Sequence, residues 1–395
     1  MARITIDYTP AVHQRAGIGR LTRELTQAVL TQGALTQASP HQFKLFVMGD
    51  AAEVRQMESA AVSVQGSPIS DRWFHRVWFK ANLPLPVQWF AGPCDLYHAT
   101  DFVLPPTLPN TPTVLTVHDL SFERDPGSAV PSLLSFLRKV VPASARRASH
   151  IVADSHATAR DLTDLYGIAP DKITTIHSGV HARFHVAADS PDEPAHIRAR
   201  YQLGDAPYVL AVGTMQPRKN HLGLVRAFAK LTSHSGQKAN LVISGGKGWL
   251  YDNVADEVQR LGLSERVKFI GYADDADLPA LYRTASVFAF PSLYEGFGLP
   301  LLEAMASGVP VVTSNVSSLP EVAGEVGLLI NPHDVNALAA ALDQALHDEV
   351  WRTQAIAAGL ARAQQFTWER AAEQLLDVYA RTLKISVNLI STSPV

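Results

Sequence analysis

The sequence predicts an α/β protein built from two Rossmann-like, doubly wound parallel sheets that face a cleft. Three observations predict it. Short, uniformly apolar runs alternate with longer helical patterns along the whole chain, as in parallel sheets covered on both faces. The chain has 395 residues, and a domain of ordinary size holds about 100–200, so two are expected. Hydrophobic residues make up 47% and charged residues 18%, enough apolar surface for two cores and too much for a disordered chain.

Taken in order, Ile4–Ile6, Lys44–Met48, Val114–Val117, Ile151–Ala153 and Ile173–Ile176 read as buried strands, each followed by turn residues. The rhythm returns at Tyr208–Val212, Asn240–Ile243, Val267–Ile270, Ser286–Phe290 and Val309–Thr313. Between the two series, residues 180–207 carry turn formers and charges without a convincing strand, and read as a linker with a short helix at Ala195–Tyr201. A last helical pattern places Trp368, Ala372, Leu375, Tyr379 and Leu383 on one face, and the tail from Ile385 shows no helical period. The expected domains are therefore 1–190 and 191–365, with 366–395 a terminal helix, free to cross back to the first domain, plus a tail.

Composition narrows the class. A formal net charge of −3 gives no electrostatic case for a nucleic-acid binder, which needs a strongly basic face. Cys94 is the single cysteine, so no internal disulfide and no thiolate metal cluster can form, which suits a reducing compartment. No apolar run approaches the roughly 18 residues that span a bilayer, and the opening residues lack the apolar core of a signal peptide. The expected location is the cytoplasm.

Ligands of doubly wound sheets bind beyond the C-terminal strand ends, so the loops there carry the functional candidates. After Ile4–Ile6 comes Gly17-Ile18-Gly19-Arg20 at the start of a helix. Glycines admit a ligand close to the backbone, and a helix N-terminus offers unpaired N–H groups to an anion. With Thr22 in place of a third glycine it is no dinucleotide fingerprint, and a turn that merely caps the helix explains it equally well. After Tyr208–Val212, the pair Arg218-Lys219 before Asn220 suits an anion such as a diphosphate, or is a solvated basic turn. After Ser286–Phe290 stands the richest segment, Pro291 to Gly308. It places Glu295 in a loop beside Gly296-Phe297-Gly298, starts a helix with Pro300 at its first position and Glu303 in its first turns, and stops it at Gly308. An acid beside such N–H groups stays ionised and accepts hydrogen bonds from sugar hydroxyls.

Tyr294-Glu295-Gly296-Phe297-Gly298-Leu299-Pro300 through Glu303-Ala304-Met305-Ala306-Ser307-Gly308 resembles the paired-glutamate signature of glycosyltransferase family 4. Thr116-Val117-His118-Asp119-Leu120, Pro217 to Asn220, Ser318 to Gly324 and the Gly17–Arg20 loop extend the resemblance over nearly the whole chain. It implies a GT-B fold, with an acceptor domain first and a donor domain second, and a retaining hexosyltransferase. Glu295 would orient the donor sugar, with the N–H groups of Gly296, Phe297, Gly298 and Leu299 nearby. Glu303 would hold the ribose, Arg218 and Lys219 the diphosphate, and Gly271 and Tyr272 the base. Gly19 would approach the diphosphate and His118 the sugar near the reacting carbon. Thr214 departs from the arginine of many members, leaving Arg218 to supply that charge. No cofactor and no metal are implied, since the two cations and a helix N-terminus face the leaving diphosphate. The implied partners are a nucleotide diphosphate sugar, GDP-mannose ahead of a UDP-sugar, and a glycan or lipid-linked acceptor in polysaccharide synthesis. Two alternatives share the architecture: a nucleotide-sugar 2-epimerase and a sugar-binding protein without activity.

Two constellations stay outside this reading. His177, His181 and His185 recur every four residues, a metal-ligand spacing on a helix, but the stretch reads as a loop entering the linker. In Arg72–Phe90, Arg72, Arg76 and Lys80 fall on one helical stripe and Trp73, Val77 and Trp78 on another. This reads first as a helix burying aromatics, and second as a basic amphipathic segment that rests peripherally on the inner membrane face.

Overall fold

A computed structural model describes residues 2–14, 17–35, 41–81, 83–234, 239–248 and 251–391. Its first sheet comprises β1 (Arg3–Asp7), β2 (Gln42–Val47), β3 (Val62–Gly66), β4 (Leu96–Ala99), β5 (Thr113–Val117), β6 (His150–Ala153) and β7 (Ile173–Thr175). The second comprises β8 (Tyr208–Val212), β9 (Asn240–Ser244), β10 (Val267–Gly271), β11 (Val287–Phe290), β12 (Val311–Ser314) and β13 (Leu328–Ile330). Every pairing in both sheets is parallel. The orders are β3-β2-β1-β4-β5-β6-β7 and β10-β9-β8-β11-β12-β13. Each reverses once, between β1 and β4 and between β8 and β11, and these are the switch points where doubly wound sheets bind ligands.

The second sheet shows why its strands are apolar throughout. Val209, Ala211, Leu241, Ile243, Val287 and Ala289 pack with Leu224, Val225 and Phe228 in one core. Their neighbours Tyr208, Leu210, Val242 and Phe288 pack with Leu301, Leu302 and Met305 in the other. Successive side chains point to opposite faces, and helices cover both.

The chain divides into two compact units, one of residues 1–123, 130–179 and 367–395, the other of residues 124–129 and 180–366. The long stretches of the two units meet at 179/180, where the sequence suggested 190/191. Gly179 marks it physically: a Cβ there would stand 2.2 Å from the Trp368 backbone nitrogen, so only glycine lets the two stretches run side by side. In the second unit Val180 N–H donates to the Phe366 carbonyl, 3.1 Å away.

The structure corrects the sequence reading in several places. The strands β3, β4 and β13 were not expected. In β3, Val62-Ser63-Val64-Gln65 alternates at a sheet edge, half exposed. The fully buried β4 carries the polar His98, and β13 is only three residues long. The linker helix is Glu193–Arg200, and Leu299, not Pro300, opens the helix after the glycine loop. The last helix runs Trp368–Ser391 through the supposed tail, and residues 392–395 lie outside the described residues. It packs on the helix Gly17–Leu35. The segment after Asp71 is an α-helix to His75 that widens into a π-helix over Arg76–Lys80. The wider winding breaks the 3.6-residue stripe. Phe74 and Trp78, four residues apart, are buried and stack at 4.5 Å, while Trp73 is 40% exposed. No described helix is long and apolar enough to cross a membrane.

Candidate active site

In the second unit the candidate residues converge on the β8/β11 switch point. The chain leaves β8 through Gly213, at φ +152°, and the turn Pro217–Lys219, then enters the helix His221–His234 at Asn220. Asn220 adopts φ +54°, the left-handed region that asparagine tolerates. Its side-chain N–H groups donate to the Pro291 and Pro332 carbonyls at 3.1 and 2.7 Å. Leu293 N–H donates to the Arg218 carbonyl at 2.8 Å. These bonds seat the cationic turn against the loop after β11.

There, Glu295 accepts from Arg218 Nη1 at 2.7 Å and from Lys219 Nζ at 2.6 Å, one cation on each carboxylate oxygen. Glu295 is 6% exposed. Burial alone would raise its pKa, but the charges of Arg218 and Lys219 and the hydrogen bond from Lys219 bring it down to about 2. Arg218 also donates to the Tyr294 carbonyl at 2.7 Å, and the Lys219 ammonium stands 4.8 Å from the centre of the Phe290 ring. Ser317 Oγ accepts from Glu295 N–H at 2.9 Å, and Ser318 Oγ lies 2.9 and 2.8 Å from the Glu295 and Phe297 carbonyl oxygens.

The loop runs on through buried Gly296, Phe297 and Gly298. Gly298 takes φ +117° at the cap of the helix Leu299–Ala306, with Leu319 filling the space a side chain would need. On that helix Glu303, 3% exposed, accepts from the hydroxyl of fully buried Tyr282 at 3.0 Å. Gly271, at φ +69°, ends β10, two strands from β8, and Tyr272, 51% exposed, follows it. Sequence reasoning missed the glycine run Gly245-Gly246-Lys247-Gly248, which joins these strand ends. Gly245 N–H donates to the Gly271 carbonyl at 2.8 Å, and a Cβ on Gly245 would stand 1.9 Å from the Gly213 carbonyl oxygen. Glycines directly after an apolar strand were the available signal.

In the first unit, His118 follows β5 and is 4% exposed. Its Nδ1 lies 2.8 Å from Asp154 Oδ2 and its Nε2 2.9 Å from the Thr100 carbonyl oxygen. Burial disfavours the charged ring, yet the charge and hydrogen bond of Asp154, with Asp101 and the Thr100 carbonyl, lift its pKa to about 9. Sequence reasoning missed Asp154, because an acid after an apolar strand and before a capping Ser155 reads as ordinary helix entry. Gly19 sits at the start of the helix Gly17–Leu35, where a Cβ would stand 1.7 Å from the Gln14 carbonyl oxygen. Close packing therefore demands glycine there. His177, His181 and His185 lie on irregular chain, not on a helix.

A buried carboxylate saturated by two cations, beside glycine-lined strand ends, is chemistry for holding a polyhydroxylated anion. The family models described as "Glycosyltransferase Family 4" and "Glycosyl transferases group 1" match residues 16–184 and 195–364. O-antigen chain mannosyltransferase B of Escherichia coli is 38% identical over 284 residues, which cover 72% of this chain and 74% of that one. The chain belongs to glycosyltransferase family 4. Among solved structures, sucrose-phosphate synthase from Thermosynechococcus elongatus superposes with a TM-score of 0.74 at 23% identity, covering 98% of this chain and all of the other. Anabaena HepE in complex with UDP and glucose gives 0.74 at 20% identity, covering 96% of this chain and all of the other. The fold is GT-B. As a family 4 glycosyltransferase, the protein moves a hexose from a nucleotide sugar to a glycan acceptor.

Proposed function

We propose that this glycosyltransferase takes mannose from GDP-mannose and adds it, with retention at the anomeric carbon, to a growing surface polysaccharide. The observation that carries the donor assignment is Glu295 held between Arg218 and Lys219 at the β8/β11 switch point. In this reading the two cations take the donor diphosphate and stabilise the charge that grows there as the sugar departs. Glu295, kept ionised, accepts hydrogen bonds from sugar hydroxyls, and the N–H groups of Gly296, Phe297, Gly298 and Leu299 line the same loop. Glu303, braced by Tyr282, takes the ribose hydroxyls, and Gly271 and Tyr272 take the base. Gly19 and His118 keep the parts the resemblance gives them. Mannose and guanosine rest on the likeness to the O-antigen mannosyltransferase.

The test is a thermal-shift screen against GDP, GDP-mannose, UDP and UDP-glucose, followed by product analysis. Binding to the folded state alone raises Tm. Stabilisation by GDP and GDP-mannose, and mannosylated product, are expected. Stabilisation by the uridine compounds alone overturns the choice of donor, and no shift with any of the four overturns the donor site itself.

A peripheral contact with anionic lipid belongs to the same reading. On the first unit Trp89, Leu83 and Leu133 are 66%, 49% and 49% exposed. The segment 71–80 packs on the helix Pro131–Arg147 through His75 and Phe136, 4.3 Å between ring centres. Together these two stretches carry Arg72, Arg76, Lys80, Arg138, Lys139, Arg146 and Arg147 against the single acid Asp71. Exposed tryptophan with excess basic charge suits a negatively charged interface. Co-sedimentation with phosphatidylglycerol vesicles, lost for pure phosphatidylcholine and for Trp89→Ala with Arg76→Glu, is the expected result. Equal recovery with both lipids overturns it.

A further inference from the structure

The first unit holds a buried ionisable pair, His118 and Asp154, whose protonation state the donor reading leaves unassigned. His118 is buried at the end of β5, and both of its ring nitrogens face groups that only accept: the Asp154 carboxylate after β6 and the Thr100 carbonyl after β4. A neutral imidazole carries one N–H and one lone pair. Beside an ionised Asp154, its lone pair would meet an oxygen lone pair at under 3 Å, a contact that is strongly unfavourable in a buried site. With both nitrogens protonated, each contact becomes a charge-assisted hydrogen bond.

The surroundings favour the same state. Asp101 adds negative charge toward the ring, Asp119 is the next residue in the chain, and Phe102 presents its ring edge-on with centres 5.2 Å apart. The neighbouring histidine does not compete for the proton. His98 on β4 is bonded to Tyr379 and Thr116, and burial drives its pKa down to about 3. Asp7, the last residue of β1, is pushed up to about 6 by burial. Burial raises the pKa of Asp154, and the charge and hydrogen bond of His118, with a smaller contribution from His177, act against that rise.

We propose that Asp154 is a positioning residue of the transferase: with the Thr100 carbonyl it fixes His118 as a permanent imidazolium, which neither gives nor takes a proton during transfer. The inference rests, for its effect on activity, on the reading that His118 serves the donor sugar. What His118 then offers is a fixed charge and a locked ring at the end of β5. The ring in turn sets its own backbone, whose carbonyl accepts from Thr158 Oγ1 at 3.1 Å.

The experiment has two arms. In the full chain labelled with 15N-histidine and without any donor, long-range 1H–15N correlation reads both nitrogens of His118, assigned by loss of its signals in His118→Gln. Two protonated nitrogens persisting from pH 6.5 to near 9 are expected, with the ring of Asp154→Asn titrating well below that range. The second arm measures kcat against pH. The wild type should stay flat to near pH 9. Asp154→Asn should fall about tenfold per pH unit above its new, lower pKa, with donor KM little changed, and Asp154→Glu should restore the flat profile. A singly protonated His118 at neutral pH overturns the proposal whatever the donor turns out to be. An Asp154→Asn profile identical in shape to the wild type overturns the positioning role. A preparation that binds no nucleotide sugar speaks against the donor reading and leaves the first arm to decide the state of the ring.

Discussion

At the end of the first sheet one buried histidine stands among carboxylates; at the end of the second one buried carboxylate stands between cations. His118 meets Asp154 with Asp101 nearby, and Glu295 meets Arg218 and Lys219. Both clusters are buried and both sit where parallel strands end, so the architecture is shared and only the sign is inverted. The inversion has a chemical reading. The second cluster keeps surplus positive charge, masked at rest by an internal carboxylate, whereas the first has no cation to spare for a ligand. One is built to meet an anion and the other to stay as it is.

The sharpest way to break this contrast is Glu295→Gln. It should lower kcat by about a hundredfold to a thousandfold, the scale for losing a group aimed at the reacting centre. It should also tighten binding of the bare nucleoside diphosphate several-fold, because two cations lose their internal partner. Calorimetric titration with the diphosphate beside steady-state rates separates the two effects, and weaker binding would sink the idea that Glu295 masks the cations. Lys219→Met comes next. It leaves the buried carboxylate with one cation, and should cost about 3 kcal/mol by denaturant unfolding while raising donor KM.

The pH dependence of stability sharpens the contrast further. Glu295 has a folded pKa near 2 against 4.5 for the free side chain, so its contribution is whole above 4.5 and lost as pH falls toward 2. His118 has a folded pKa near 9 against 6.5, so its contribution is whole below 6.5 and lost as pH rises through 9. Melting curves of Glu295→Gln should therefore approach the wild type at the acid end, and those of Asp154→Asn at the alkaline end. The smallest effect expected is that of Tyr282→Phe. Removing one hydrogen bond to Glu303 should weaken donor binding by about 1 kcal/mol and leave kcat unchanged. A fall in kcat without a change in KM would show that Glu303 acts on the reacting sugar instead.

These clusters also show what the sequence discloses. The loop from Tyr294 to Gly308 is legible because its strand, glycines, proline and glutamates are neighbours along the chain. Likewise the apolar runs reveal most strands, because each is buried on two faces by helices that adjoin it in sequence. What escapes is pairing across distance. His118 and Asp154 follow separate apolar strands, and nothing local to either predicts the other. Tyr282 and Glu303 lie on different helices and meet only once the sheet has formed. The strand β4 hides for a similar reason: His98 breaks its apolar run, and its partners Tyr379 and Thr116 come from elsewhere.

The last helix, Trp368–Ser391, has a consequence for the order in which the molecule is made. Its Ala371, Ala372, Leu375, Val378 and Tyr379 are buried in the first unit, yet they are synthesised after residues 180–366 of the second. Chains elongate at about 5–20 residues per second and fold domain by domain, so the first sheet waits roughly 10–40 s for the helix that completes its core. By the end of that interval the second unit possesses every residue it needs. A chain ending at residue 366 would hold every residue of the second unit and lack the helix that completes the first.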